Sequence, residues 1–117
     1  MIGKFLVFLG LSAVVFSPAL KGAYLYWDDT THIINNPNLV AGNWMEFWVG
    51  EYYRLYIPVI YTVWTWLFMI TDASWIYHVF NLVLHAANGV MFFALAALAV
   101  PAASKRALWL ATLAYLL

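Results

Sequence analysis

Two adjacent carboxylates, Asp28 and Asp29, carry the clearest chemical pattern in this sequence. They directly follow Trp27, and tryptophan is enriched where a membrane meets water. Neighbouring carboxylates repel each other, so at least one of them should meet a cation or a metal ion, or serve as a general base. The alternative is an acidic loop that is simply solvated, because structural ion-pair networks also use carboxylates.

A second set of polar side chains lies within an apolar segment at helical spacing. His78, Asn81, His85 and Asn88 are three, four and three residues apart, so a helix places them on one face. Polar groups are costly in lipid and usually face a bundle interior or a cavity. The stripe therefore predicts either a cavity lining or hydrogen bonds between neighbouring helices. His78 and His85 would lie about 10 Å apart along the helix, which is poor geometry for one metal ion.

Arg54 follows two tyrosines in the polar middle of the chain. A guanidinium at a membrane surface can hold a phosphate through two hydrogen bonds, or it can pair with Asp28 or Asp29. Two nearby glutamates are further possible partners. The alternative is an anchoring side chain whose charge simply reaches the membrane surface. His32, in the same polar region, is expected to be exposed or structural.

The composition indicates an integral membrane protein. Of the 117 residues, 67% are hydrophobic and 9% are charged, with a formal net charge of +0. Soluble domains average about 45–50% apolar and 25% charged residues, so an ordinary soluble domain is excluded, as is a disordered chain. The neutral balance also excludes electrostatic nucleic-acid binding. With Cys 0, disulfide frameworks and thiolate metal sites are excluded as well.

The apolar runs predict an all-α fold, a polytopic helical membrane protein fragment with about three spanning helices. A helix needs about 20 residues to cross a bilayer. The expected spanning segments are 5–20, 75–100 and, incomplete, 107–117; an outer loop over 21–74 holds interfacial helices over 44–49 and 57–70. Because 107–117 is too short to span, the chain is expected to be the N-terminal part of a longer protein.

The short helix over 44–49 is expected to begin after Asn43, which is a favourable N-cap residue. Trp44, Phe47 and Trp48 would share one of its faces, an arrangement that suits a helix lying on a membrane surface.

The positions of the cations predict the topology. With 57–70 at the outer interface, Lys4, Lys105 and Arg106 are cytoplasmic, in line with the positive-inside rule. If 57–70 also spanned, only Lys4 would be cytoplasmic. The N-terminus is therefore expected in the cytoplasm and residues 21–74 on the outer or luminal side. The first run lacks a good cleavage pattern, which favours a retained helix over a cleaved signal peptide.

Taken in order, these stretches resemble the N-terminus of a GT-C membrane glycosyltransferase. The closest resemblance is to the protein O-mannosyltransferase-like enzymes, in which transmembrane helices are followed by tetratricopeptide repeats. The matching stretches are WDDTTHIINNPNL from Trp27, Tyr53-Arg54 ahead of 57–70, and HVFNLVLH from His78. The resemblance covers essentially the whole chain but only a small part of a family member.

The resemblance implies transfer of a mannose-like sugar from a polyprenyl-phosphate carrier to a protein hydroxyl. It implies that Asp28 or Asp29 is the general base or helps to bind a divalent metal. It further implies that Arg54 lies near the carrier phosphate, and that the polar stripe (His78, Asn81, His85) lines or supports the cavity. Membrane lipids, the lipid-linked sugar and an acceptor protein would be the partners, in a bacterial inner membrane or the endoplasmic reticulum.

Two other functions are consistent with the residues. A small non-enzymatic membrane interaction protein could use its aromatic residues and polar stripe to bind partner helices. It would have no need for an acidic pair beside a large outer loop. A transporter fragment is the third possibility, because polar stripes also line substrate paths.

Overall fold

A computed structural model describes all residues from Met1 to Leu117. The chain is helical and contains no strand, which confirms the predicted all-α class. It forms two compact units, called here the helical unit (Met1–Lys21 with His78–Leu117) and the loop unit (Gly22–Tyr77). The elements in order are α1 (Ile2–Val15), a 3-10 turn (Ser17–Lys21), a π-helical turn (Thr30–Ile34), α2 (Pro37–Val40), α3 (Glu46–Val49), α4 (Pro58–Ile70), α5 (Trp75–Ala99) and α6 (Lys105–Leu116).

One helix, α5, is long and apolar enough to cross a membrane. Its 25 residues correspond to about 38 Å at 1.5 Å per residue, against about 30 Å of hydrocarbon. The helix occupies the segment 75–100 in which a spanning helix is expected. The expectation of about three spanning helices is not supported, because α1, with 14 residues, and α6, with 12 residues, are shorter than a span requires.

The first predicted span, 5–20, is corrected to a helix over Ile2–Val15 followed by the 3-10 turn. Two residues explain why the α-helix ends early. Pro18 has no backbone N–H to continue the helix, and the Ser17 hydroxyl donates a hydrogen bond to the Val14 carbonyl at 3.0 Å. The resulting α1 has 14 residues.

The last helix begins earlier than predicted. Instead of 107–117, α6 covers Lys105–Leu116, because the Ser104 hydroxyl accepts a hydrogen bond from the Ala107 amide at 3.2 Å and acts as the N-cap. In the helical unit, α1, α5 and α6 each contribute one residue to a small buried core, namely Phe8, Ala86 and Leu116.

The short helix predicted over 44–49 is also corrected. It begins at Glu46 with Met45 in the cap position. Asn43 does not cap it with its side chain, but its backbone carbonyl accepts a hydrogen bond from the Glu46 amide at 3.1 Å. Four residues of α-helix remain.

The aromatic residues of this segment pack against α4. Phe47 is buried and its ring stacks on Tyr61 with centroids 4.6 Å apart. The Trp48 indole N–H donates to the Thr62 hydroxyl at 2.9 Å, and Trp44 lies edge-on to a second α4 aromatic residue. The face that the sequence assigned to a membrane surface is therefore largely used to hold α3 on α4.

Helix α4 lies within the predicted interfacial segment 57–70 and organises the loop unit. Pro58 stands in its first turn, where the missing N–H costs nothing. Tyr61 is 1% exposed and lies in a core formed with Ile33, Leu39, Phe47 and Tyr77. The position of α4 relative to a membrane stays a prediction.

Asn36 fixes the turn that precedes α2. Its side chain is fully buried, accepts a hydrogen bond from the Leu39 amide at 3.3 Å and donates one to the His32 carbonyl at 3.2 Å. Pro37 follows as the first helical residue, in keeping with its preset φ. A single buried amide therefore joins the π-helical turn to α2.

Candidate functional site

The two predicted acidic residues differ in their surroundings. The Asp29 carboxylate is half-buried and accepts a hydrogen bond from the Leu25 amide at 2.9 Å, which closes a short loop. Asp28 is exposed. Within that loop Tyr26 is 99% exposed and Trp27 is 85% exposed. Asp28 is thus the accessible carboxylate, while Asp29 holds the local backbone.

The metal hypothesis rests on these two carboxylates alone. No group of three or more His, Asp or Glu side chains is arranged to hold a metal ion. Divalent cations with oxygen ligands take at least six of them, of which the two neighbouring carboxylates supply only a part. A divalent ion at Asp28 and Asp29 would need further ligands from water, substrate or another chain.

Arg54 lies on a tight turn with an unusual backbone. Tyr52 and Leu55 exchange two backbone hydrogen bonds, of 3.1 and 2.9 Å. Between them, Tyr53 has φ 50 and Arg54 has φ 64. Two central residues with positive φ are typical of a type I′ turn, where Asn and Gly are preferred. A non-glycine residue in this region costs about 1 kcal/mol or more, so the 52–55 turn is strained at two consecutive positions.

His32 is a site candidate that the sequence reading did not identify. Its Nδ1 lies 2.6 Å from the Tyr61 hydroxyl. Its ring is also in edge-to-face contact with Tyr52 and Tyr53, at centroid distances of 6.1 and 6.0 Å. Three tyrosines therefore surround this imidazole. A single histidine in a polar loop does not indicate in the sequence that it will meet distant tyrosines. The Tyr52-Tyr53-Arg54 run, which His32 contacts, was identified from the sequence because of its arginine.

Burial affects the ionisation of two of the tyrosines around His32. It raises the pKa of the Tyr61 phenol from 10.0 to about 12, so the phenol keeps its proton at neutral pH. A protonated phenol can donate to Nδ1 or accept from it, so the tautomer of the imidazole sets the direction of this hydrogen bond. Burial also raises the pKa of Tyr52. The hydroxyl of Tyr52 shares its proton between the Thr31 carbonyl in the π-helical turn, at 3.2 Å, and the Asn35 carbonyl directly after it, at 3.3 Å.

The polar stripe of α5 lines a pocket in the helical unit. The pocket has a volume of about 320 Å³. Three of the four stripe residues, His78, Asn81 and His85, line it, whereas Asn88 does not. The other lining residues are apolar: Phe16, Ala19, Leu20 and Leu82. The helical spacing thus brings His78, Asn81 and His85 to one surface.

His85 also holds two helices together. Its Nε2 donates to the Leu116 carbonyl in the last turn of α6 at 3.0 Å. Its ring stacks on Tyr115 with centroids 5.9 Å apart and lies edge-on to Phe16 at 5.8 Å. This geometry matches the alternative that the stripe forms hydrogen bonds between helices.

The six predicted site residues belong to two different units. Asp28, Asp29 and Arg54 are in the loop unit, and the stripe residues His78, Asn81 and His85 are in the helical unit. Each group therefore has its own local frame of hydrogen bonds and ring contacts.

No protein-family model, curated protein or solved structure matches this chain. The resemblance to GT-C glycosyltransferases therefore depends on the three sequence stretches named above and stays a prediction.

Proposed function

We propose that this chain belongs to an integral-membrane GT-C glycosyltransferase. The enzyme transfers a mannose-like sugar from a polyprenyl-phosphate carrier to a hydroxyl group of a protein. The observation that carries the proposal is the arrangement of two exposed charged groups in the loop unit. It presents an exposed carboxylate, Asp28, and an exposed guanidinium, Arg54, on separate backbone features that are each fixed by hydrogen bonds.

The reaction assigns one task to each of these groups. Asp28 accepts the proton of the acceptor hydroxyl while the oxygen of that hydroxyl forms a bond to the anomeric carbon of the sugar. The bond between that carbon and the phosphate oxygen breaks, and the electron pair leaves with the polyprenyl phosphate. Arg54 neutralises the charge on the leaving phosphate. Asp29 positions the loop through its bond to the Leu25 amide.

The membrane placement follows the charge pattern. Helix α5 crosses the membrane with Lys105 and Arg106 on the cytoplasmic side, and the loop unit lies on the outer or luminal side of a bacterial inner membrane or the endoplasmic reticulum. The chain has no native cysteine, so single-cysteine labelling tests this directly. Asn43→Cys and Ala102→Cys, both at exposed positions, should react with an impermeant maleimide from opposite sides. Reaction of both from the same side would overturn the topology.

Transfer itself is tested on membranes from cells that express the gene in its natural reading frame. The assay supplies polyprenyl-phosphate mannose labelled in the sugar and a peptide containing Ser and Thr. Asp28→Asn should lower the rate by about a hundredfold or more, because loss of a general base typically costs that much. Asp72→Asn changes another exposed carboxylate of the loop unit and should leave the rate within about twofold. No transfer by the unaltered protein would remove the function; full transfer by Asp28→Asn would remove the role of Asp28.

One observation favours the second candidate function, a membrane interaction protein without chemistry. The bond from His85 to the Leu116 carbonyl uses a stripe residue for packing between helices. On this alternative the His78 and Asn81 side chains bind a partner helix. Crosslinking of a benzophenone residue at position 81 to another protein, without any transferase activity, would favour it.

A further inference from the structure

The 52–55 turn requires an external support. Tyr53 and Arg54 both have left-handed backbone angles, and neither has the glycine or asparagine character that makes such a turn favourable. The two backbone hydrogen bonds between Tyr52 and Leu55 close the turn. They do not explain the left-handed angles, because less strained turn types are closed by backbone hydrogen bonds as well. Strain of this kind persists only where the surroundings determine the conformation, and such positions cluster at ligand-binding sites.

His32 is one of the side chains that meet this turn. It is in ring contact with both Tyr52 and Tyr53, within about 6 Å of each. It is also bonded to the Tyr61 hydroxyl of α4 at 2.6 Å, and the Tyr61 ring lies 6.0 Å from the imidazole, at an angle of 31°, and 6.0 Å from the Tyr52 ring. Tyr61 is fully enclosed by the core of the loop unit. The imidazole therefore connects the turn to a rigid part of the structure.

We propose that His32 is a positioning residue for Arg54: its contacts with Tyr61, Tyr52 and Tyr53 hold the 52–55 turn in the conformation that presents Arg54 to a phosphate group. The identity of that phosphate as the polyprenyl carrier rests on the proposed function. The positioning role does not depend on it. His32 acts through its neighbours and has no contact with the reacting atoms in this proposal.

The first arm of the test measures the turn itself, using the whole chain in detergent micelles and nuclear magnetic resonance. Backbone chemical shifts of Tyr53 and Arg54 report the sign of φ. The unaltered chain should give positive φ at both positions. His32→Phe keeps an aromatic ring but loses the hydrogen bond, and Tyr61→Phe removes only the hydroxyl. Both should lose the left-handed turn, and Tyr61→Phe serves if His32→Phe does not fold.

Two further variants complete the comparison. His32→Asn keeps an amide that can bond to the Tyr61 hydroxyl but loses the ring contacts with Tyr52 and Tyr53, so it should also lose the left-handed turn. His85→Phe makes the same substitution in the helical unit and should leave the turn unchanged. A left-handed turn that persists in folded His32→Phe and Tyr61→Phe would overturn the proposal.

The second arm measures phosphate binding at Arg54. The chain contains two arginines, Arg54 and Arg106, so isotopic labelling of arginine gives one reporter and one internal reference. Farnesyl phosphate should shift the Arg54 side-chain signal, and farnesol should not. In His32→Phe the dissociation constant should rise about tenfold, because a misplaced guanidinium loses its paired hydrogen bonds. In His32→Asn, which lacks the ring contacts with the turn, it should rise by a similar factor. Equal affinity in His32→Phe would overturn the positioning role.

The source of the phosphate and the proposed function are tested separately. Inorganic phosphate and phosphatidic acid are titrated in parallel with farnesyl phosphate. Equal or tighter binding of phosphatidic acid would identify a membrane headgroup as the ligand and remove the carrier assignment. If farnesyl phosphate does not bind the unaltered chain, the carrier site of the proposed function fails. The turn measurement still decides the role of His32.

Discussion

Alkaline pH should destabilise the loop unit through Tyr61. Burial raises the pKa of this phenol from 10.0 to about 12 in the folded chain. Between these two values the unfolded chain releases the proton while the folded chain keeps it, so rising pH favours unfolding. The contribution is fully present below pH 10 and is lost as the pH rises to about 12. At about 1.4 kcal/mol per pKa unit, two units correspond to about 3 kcal/mol.

Tyr61→Phe provides the comparison that isolates this effect. At neutral pH the variant should be less stable by about 1 kcal/mol, because it loses the hydrogen bond to His32. Above pH 12 the unaltered chain has lost more than that, so the two curves of unfolding free energy against pH should cross between pH 10 and pH 12. Burial also raises the pKa of Tyr24 and Tyr52. The contribution of Tyr24 is common to both proteins and cancels in the difference, whereas the nearby Tyr52 phenol adds to the raised pKa of Tyr61 and belongs to the effect that is measured.

The assay is denaturant unfolding of both proteins in the same detergent, at intervals of pH from neutral upward. The ultraviolet absorbance of phenolate, recorded in parallel, should show that the variant has one tyrosine fewer in the group that ionises at the highest pH. Parallel stability curves without a crossing would refute the reasoning, since they would mean that the Tyr61 phenol ionises equally in the folded and unfolded chains.

Two further substitutions test the packing of each unit. Asn36→Ala should cost the loop unit about 2 kcal/mol of unfolding free energy, because it removes the buried N-cap of α2 and both of its hydrogen bonds; a cost under 0.5 kcal/mol would show that the cap is dispensable. Gly89→Val should destabilise the helical unit by about 1–3 kcal/mol, because a Cβ at this position lies 2.9 Å from Cδ2 and 3.2 Å from Cγ of the buried Leu116. The matched control is Gly10→Val in α1, where a Cβ meets nothing within 4 Å. Equal melting temperatures for the two valine variants would contradict the close contact at Gly89.

The periodic features of this fold could be read from the sequence, because they depend on side-chain spacing. The apolar run from Trp75 gives α5, and the spacing of His78, Asn81 and His85 puts these residues on one pocket wall. The all-α class follows from the same runs. The early end of α1 also had a readable cause in Pro18, although the length of the apolar run obscured it.

Features that depend on contacts distant in the sequence could not be read. The turn at Tyr53 and Arg54 has positive φ without glycine or asparagine, so local propensity gives no signal for it. His32 becomes a site candidate only because Tyr61, 29 positions away, reaches its Nδ1. The aromatic face of α3 has helical spacing, but spacing cannot distinguish a membrane surface from a neighbouring helix such as α4.

Two hydrogen bonds join the ends of the loop unit. The Tyr24 hydroxyl donates to the Asp72 carbonyl at 2.8 Å, and the Ser74 hydroxyl donates to the Gly22 carbonyl at 2.7 Å. Bringing together the ends of a loop of this length costs about 3.5 kcal/mol of chain entropy, and the cost grows only slowly with further residues. Because these two hydrogen bonds close the segment at its base, insertions at its exposed tips add little to the entropy cost of closure. The exposed surface of the loop unit can therefore change in sequence and length while the residues that close it stay the same.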